Sequence, residues 1–157
     1  MKTQLLILAS MTIFLLGSCT KGEPLILSPQ EKLQGEWMYT QAVFVENFGL
    51  RRTDVLRDYA DWRVSFDGYE VQMEDLKTGQ ILHGSYELYQ DDTGGYYDEA
   101  GNYVANIERF MSLIVFDSKT HKKYYYDWQV NYLTRNKLFF GEFYRDGNYS
   151  FKMIKLQ

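Results

Sequence analysis

The sequence predicts an all-β domain, an antiparallel up-and-down β-barrel of eight or nine strands entered by a short helix, with a β-sandwich as the alternative. Three observations lead there. The chain of 157 residues carries 14 Tyr, 10 Phe and 3 Trp, residue types that favour a pleated, half-buried surface. Tight-turn pairs and triplets such as Asp67-Gly68, Lys77-Thr78-Gly79 and Asp146-Gly147 recur between short alternating segments, the signature of successive hairpins. No long segment repeats with helical period, and a closed barrel removes the edges that an open meander would leave exposed.

Length allows one domain. Seventeen Lys and Arg against 21 Asp and Glu give a net charge of −4. The signs are interspersed, which leaves no basic footprint for nucleic acid. The chain divides into a signal segment (1–18), a tether (19–27) and the barrel domain (28–157).

Residues 1–18 have the three-part form of an export signal. Lys2 starts it, an apolar run follows from Leu5 to Leu16, and the small residues Gly17 and Ser18 end it. That run, as a helix, rises only about 18 Å, short of a hydrocarbon core. Leu16-Gly17-Ser18-Cys19 resembles the lipobox of bacterial lipoproteins. The resemblance implies cleavage before Cys19, a diacylglycerol thioether on its sulfur and an acylated (palmitate-type) amino group. Several acyl chains anchor stably where one is marginal. Cys19 is the sole cysteine, so no disulfide forms within the chain. Thr20 replaces the Asp that signals inner-membrane retention, which by resemblance favours the outer membrane, with either face open. The expected partners are therefore the membrane, through Cys19, and a small hydrophobic ligand.

Ser28-Pro29-Gln30-Glu31 reads as a capping box with Pro at the first helical position, and Gly35 ends that helix. The first strand alternates Trp37, Tyr39, Val43 and Val45 against Met38, Thr40, Ala42 and Phe44. Asn47 to Ala60 reads as a long connection with one helical turn. Three one-face-in strands follow: Trp62-Val64-Phe66, Tyr69-Val71-Met73 and Leu82-Gly84-Tyr86-Leu88. Gln90 to Asn102 forms a polar, glycine-rich hairpin tip. Phe110 to Phe116 is the most apolar strand; Tyr124, Tyr126, Trp128, Val130 and Tyr132 alternate along the next; Leu138 to Tyr144 and Tyr149 to Leu156 close the set.

The helix leading into Gly35-x-Trp37, the Gly84-x-Tyr86 strand and the closing run Phe151-Lys152-Met153-Ile154-Lys155-Leu156 resemble the lipocalin and calycin group, in particular small bacterial lipocalin-like lipoproteins. The resemblance implies that Gly35 and Trp37 are structural, with Trp37 plugging the closed end and an Arg of the last strand packed across it. Here that strand offers only Lys152 and Lys155. It also implies that the Asn47 to Ala60 connection covers the open end.

No nucleophile elbow, zinc-protease motif or cofactor motif is present, and the expectation is a non-enzyme without cofactor or metal. His83 and His121 read as solvated. Asp91, Asp92, Asp98 and Glu99 surround glycines without EF-hand spacing, which suits a soluble hairpin tip, a weak calcium site being the rival. Trp62, Phe66, Tyr69, Tyr86, Tyr126, Trp128 and Tyr132 are expected to face one interior. Two readings of that set stand: a filled core, or a pocket for an apolar or planar ligand. The expected function is a lipid-anchored, ligand-binding protein of the cell envelope. The alternative is an interaction protein that holds a protein or glycan through Tyr96, Tyr97 and Tyr103, or a subunit of an envelope assembly.

Overall fold

In the computed structural model the described residues are 27–46, 49 and 51–157. The signal segment, Cys19 and all but the last residue of the tether lie outside them. Ser28 caps helix α1 (Pro29–Leu33) as the capping box requires: its hydroxyl accepts from the Glu31 amide and the Glu31 carboxylate accepts from the Ser28 amide. The Ser28 amide first, and then the Ser28 hydroxyl, hold the Glu31 carboxyl below its ordinary range. The chain turns from α1 into β1 (Gly35–Glu46) at Gly35, whose φ of 108° is a conformation that L side chains rarely adopt.

The strands that follow are β2 (Arg52–Asp54), β3 (Trp62–Asp67), β4 (Glu70–Asp75), β5 (Gln80–Asp92), β6 (Tyr96–Tyr97), β7 (Tyr103–Val104), β8 (Ile107–Asp117), β9 (Lys122–Leu133), β10 (Lys137–Phe143) and β11 (Gly147–Lys155). Eight of them close an antiparallel barrel in the order β1-β3-β4-β5-β8-β9-β10-β11, and β11 returns to pair with β1. The barrel supersedes the sandwich alternative. β6 and β7 form a separate small ribbon. β2 is an extra strand that the sequence reading missed. It pairs with Val43–Val45 of β1 where β3, which pairs with Gly35–Met38, has already left. The helical turn expected in the same connection is a 3-10 turn, Leu56–Asp58.

Inward side chains fill the barrel. Trp37, Val64, Met111, Leu113, Val115 and Phe140 are fully buried, with Phe66, Tyr86, Trp128, Phe151 and Met153 nearly so. The helix end is sealed by Leu33 and Trp37, and the Trp37 indole donates to the Leu33 carbonyl at 2.6 Å. Gln30, Gln34, Tyr86 and Gly68 tie α1 to the β3–β4 turn. Gln30 donates to the Tyr86 hydroxyl and to the Gly68 carbonyl, the Tyr86 hydroxyl donates to that carbonyl at 2.9 Å, and the Gly68 amide donates to Gln34 at 2.7 Å.

Two residues expected inside are outside, each for a local reason. Asp67 pairs with Glu70, so Gly68 and Tyr69 are the two central residues of the hairpin and Tyr69 is 73% exposed. The turn lies one residue later than Asp67-Gly68. On β9, Phe139 pairs with Tyr132 but Phe140 pairs with Val130, so Asn131 is an extra, bulged residue. A bulge shifts the alternation by one; Leu133 becomes buried and Tyr132 is 55% exposed. A second bulge at Thr40, between the pairs Tyr39–Met153 and Gln41–Lys152, brings Ala42 to the buried phase of β1 with Trp37 and Tyr39. The expected grouping of Val43 and Val45 with those two aromatics therefore does not hold.

Close approach fixes Gly84. A Cβ on Gly84 of β5 would lie 1.8 Å from the Ile114 carbonyl oxygen of β8, so β5 and β8 can meet there only without a side chain. Among the described residues no helix is long and apolar enough to cross a membrane.

Candidate functional site

The end of the barrel opposite α1 is covered by the β1–β3 connection. The Leu56 amide is held by the Asp54 carboxylate and the Val55 amide by the Ala42 carbonyl. This sets Val55, Leu56 and Tyr59 against the core. The Tyr59 ring lies 5.4 Å from Tyr39 and 4.9 Å, edge-on, from Phe151.

Beneath it is a cavity of about 160 Å³ lined by Tyr39, Tyr59, Trp62, Met73, Tyr126, Trp128, Glu142, Tyr144 and Phe151. Two of the lining rings, Trp128 and Phe151, are joined through a continuous aromatic stack, in which Trp128 lies 4.1 Å from Phe140 at 22° and Phe140 lies 5.0 Å from Phe151 at 26°. Offset stacking of this kind orders the rings and keeps them in place.

Two polar groups stand out against those rings. The Trp128 indole N–H is buried, and no hydrogen-bond acceptor reaches it. An unmade hydrogen bond of that kind costs roughly 1–3 kcal/mol. The second is Glu142, which shares the inward phase of β10 with Leu138 and Phe140. Burial pushes its carboxyl above the ordinary range and the Asp127 charge adds to the shift, while a hydrogen bond from the Tyr144 hydroxyl draws it back. The surrounding phenols move the same way. Burial, helped by the Tyr149, Glu142 and Asp58 neighbours, takes Tyr59 up to about 12. Tyr39 and Tyr126 are raised by burial and then by charged or phenolic neighbours including Glu142, and Tyr144 by burial and its bond to Glu142. At neutral pH these hydroxyls stay protonated and can donate. Among the described residues no Lys, Arg or His lines the cavity.

Of the expected ligand-facing residues, Trp62, Tyr126 and Trp128 meet in this cavity. Phe66 and Tyr86 face the interior but sit at the helix end, edge to face at 4.9 Å, where they are filling. Tyr69 and Tyr132 take no part. Glu142, Tyr59, Tyr39 and Tyr144 were missed. Glu142 was legible, because it is a carboxylate on the apolar phase of Leu138-x-Phe140-x-Glu142. Tyr59 was not, since a connection without periodicity does not say which side chain folds back.

The other candidates are occupied by their own surroundings. Asp92 accepts from the Tyr103 hydroxyl and the Gly94 and Asn106 amides, and Asp98 from the Ala100 and Asn102 amides. These are loop-fastening bonds, and both carboxyls are lowered by them. The described residues hold no group of three or more His, Cys, Asp or Glu arranged for a metal ion. His83 is exposed, and His121 occupies a turn with φ of 58°. In the connection, Arg51 pairs with Glu46 at 3.7 Å and Arg57 with Asp58 at 3.9 Å, all well exposed; Arg52 is exposed too. Comparison with protein-family models, with curated proteins and with solved structures gives no match for this chain.

Proposed function

We propose that this protein is a lipid-anchored, non-enzymatic binding protein of the bacterial cell envelope, lipocalin-like in plan, that holds one small molecule in the covered end of its barrel. The observation that carries the reading is the cavity of about 160 Å³ walled by Trp62, Tyr126 and Trp128 beneath Tyr59. Space on that scale takes a molecule of roughly one aromatic ring, as dry cavities of about 150 Å³ do. It does not take a long acyl chain. Membrane attachment through Cys19 and an outer-membrane location rest on the signal-like segment and the lipobox. Among the described residues the cavity offers one carboxylate without a paired nucleophile or imidazole, which suits binding rather than turnover.

The test is a calorimetric titration of the full chain in lipid nanodiscs with indole, p-cresol and 3,3-dimethylbutan-1-ol, beside a long-chain fatty acid. Binding of small probes, lost in the cavity-filling variant Phe151→Trp, supports the reading. Binding of the fatty acid alone, or binding that Phe151→Trp leaves intact, refutes it. Anchoring is tested separately by labelled palmitate incorporation, which Cys19→Ser must abolish.

The interaction reading keeps one specific support. Tyr96 and Tyr97 are 65% and 73% exposed on the small ribbon, with Tyr103 half exposed beside them. Partner capture that is lost on Tyr97→Ser and unaffected by Phe151→Trp favours that surface over the cavity.

A further inference from the structure

The chemistry of the cavity says more than its size. Among the described residues its single charged group is Glu142, which sits among aromatic rings, and the described ion pairs (Arg51–Glu46, Arg57–Asp58, Arg63–Glu36) do not include it. Taking a carboxylate out of water is costly unless a cation or several donors compensate. Here one hydroxyl, from Tyr144, does so. Aromatic faces carry negative charge density that attracts ammonium groups, most strongly when the cation is desolvated, and Trp and Tyr are the rings best suited to it. Trp62, Trp128, Tyr59 and Tyr126 provide four such rings around one carboxylate. An anion would meet Glu142 with no Lys, Arg or His among the described lining residues to offset it, and a purely apolar guest would leave Glu142 with the Tyr144 hydroxyl alone.

We propose that the cavity binds a small organic cation, an amine or quaternary ammonium, with its charge against Glu142 and the surrounding rings. This inference rests on the small-ligand reading above and names the ligand class for the same cavity. The burial that raises the Glu142 carboxyl is a cost such a cation would relieve. About 160 Å³ limits the guest to a trimethylammonium head with a short polar tail, or to a single-ring amine.

Choline and 3,3-dimethylbutan-1-ol have nearly the same shape, and only choline is charged. Both are titrated calorimetrically into the full chain in nanodiscs, with tetramethylammonium as a cation lacking the oxygen. We expect choline to bind at least about tenfold more tightly than the neutral isostere. Glu142→Gln should remove most of that preference while leaving affinity for 3,3-dimethylbutan-1-ol within about twofold. Trp128→Leu, which removes a lining ring, should weaken choline and tetramethylammonium alike. Near-ultraviolet circular dichroism of each variant checks that the core remains packed. Equal affinity for choline and its isostere overturns the cation while leaving the small-ligand reading intact. Choline binding untouched by Glu142→Gln overturns the assigned contact. Failure of all three probes together with indole and p-cresol overturns the small-ligand reading itself.

Discussion

The Lys155 ammonium lies 5.0 Å from the centroid of the Trp37 ring and at the same time donates to the Lys32 carbonyl at 2.8 Å. One side chain of the last strand thus covers the buried indole of the first and satisfies a carbonyl at the end of α1. Desolvation lowers the Lys155 pKa from its usual value, the cost of keeping a cation against a ring. Lys155→Met, which keeps the stem and removes the charge, should destabilise the fold by about 0.5–2 kcal/mol, the range of cation–π contacts. Lys155→Arg should retain most of the stability. Urea unfolding of the three proteins measures both. No change on Lys155→Met would mean that the contact contributes nothing.

The bulge at Asn131 makes neighbouring residues unequal. Leu133 is buried and Tyr132 exposed, so Leu133→Ala should cost about 2–5 kcal/mol and Tyr132→Ser less than about 0.5 kcal/mol. The reverse order would show that strand β9 runs without the extra residue.

Gly84→Ala must push β5 away from the Ile114 carbonyl. A cost of about 1–3 kcal/mol is expected. At Gly141 a Cβ would meet only ordinary contacts, the nearest at 3.5 Å, and Gly141→Ala should be near neutral. Comparing the two melting temperatures separates close approach from the general effect of adding a methyl.

Asp117 closes the β8–β9 hairpin. Its carboxylate accepts from Gln80 Nε2 and the Lys119 amide at 2.8 Å and from the Thr120 amide at 3.2 Å. These bonds, Gln80 first, hold its pKa at about 2. A carboxyl whose folded pKa is depressed contributes stability that is complete above its ordinary pKa near 4 and is lost as pH falls toward 2. The melting-temperature gap between the native protein and Asp117→Asn should therefore shrink across that window, and a gap that stays constant would contradict the assignment.

Glu142 works in the opposite sense. Its folded pKa is raised by burial and by Asp127, with Tyr39, Tyr59, Tyr126 and Tyr144 as the other titratable groups around it. A raised carboxyl favours the protonated fold, so its penalty is absent below the ordinary carboxylate range and sets in as pH rises through the raised value. Glu142→Gln should raise the melting temperature by about 2 °C at pH 7 and make no difference at pH 4. Thermal melts across that interval read it directly.

The barrel was legible because strict alternation and turn pairs state strand and hairpin almost independently of context. Val64-x-Phe66, Val71-x-Met73 and Met111-x-Leu113-x-Val115 face inward as their period requires. Faces were lost where one residue was inserted. Neither Thr40 nor Asn131 announces a bulge, because a bulge is set by the partner strand's register and not by its own sequence. The cavity was half legible for a related reason. Trp62, Tyr126 and Trp128 follow from phase, whereas Tyr59 reaches the cavity through the Asp54 and Ala42 hydrogen bonds that shape the connection. No strand period encodes those bonds.

The pairing of β1 with β11, from Trp37 opposite Lys155 to Glu46 opposite Gly147, also sets the order in which the barrel can form. Each other barrel strand follows its neighbour closely in the chain, apart from the longer excursions between β1 and β3 and between β5 and β8, so the remaining hairpins can assemble early. The seam joins opposite ends of the folded region and carries the largest loop-closure entropy, which makes it the slow step of a topology rich in distant contacts. Until it closes, both flanking strands present unpaired backbone and the aromatic interior lies open on one side. A chain with this many rings then has its greatest opportunity to self-associate, and the final strand acts as the latch that ends that exposure.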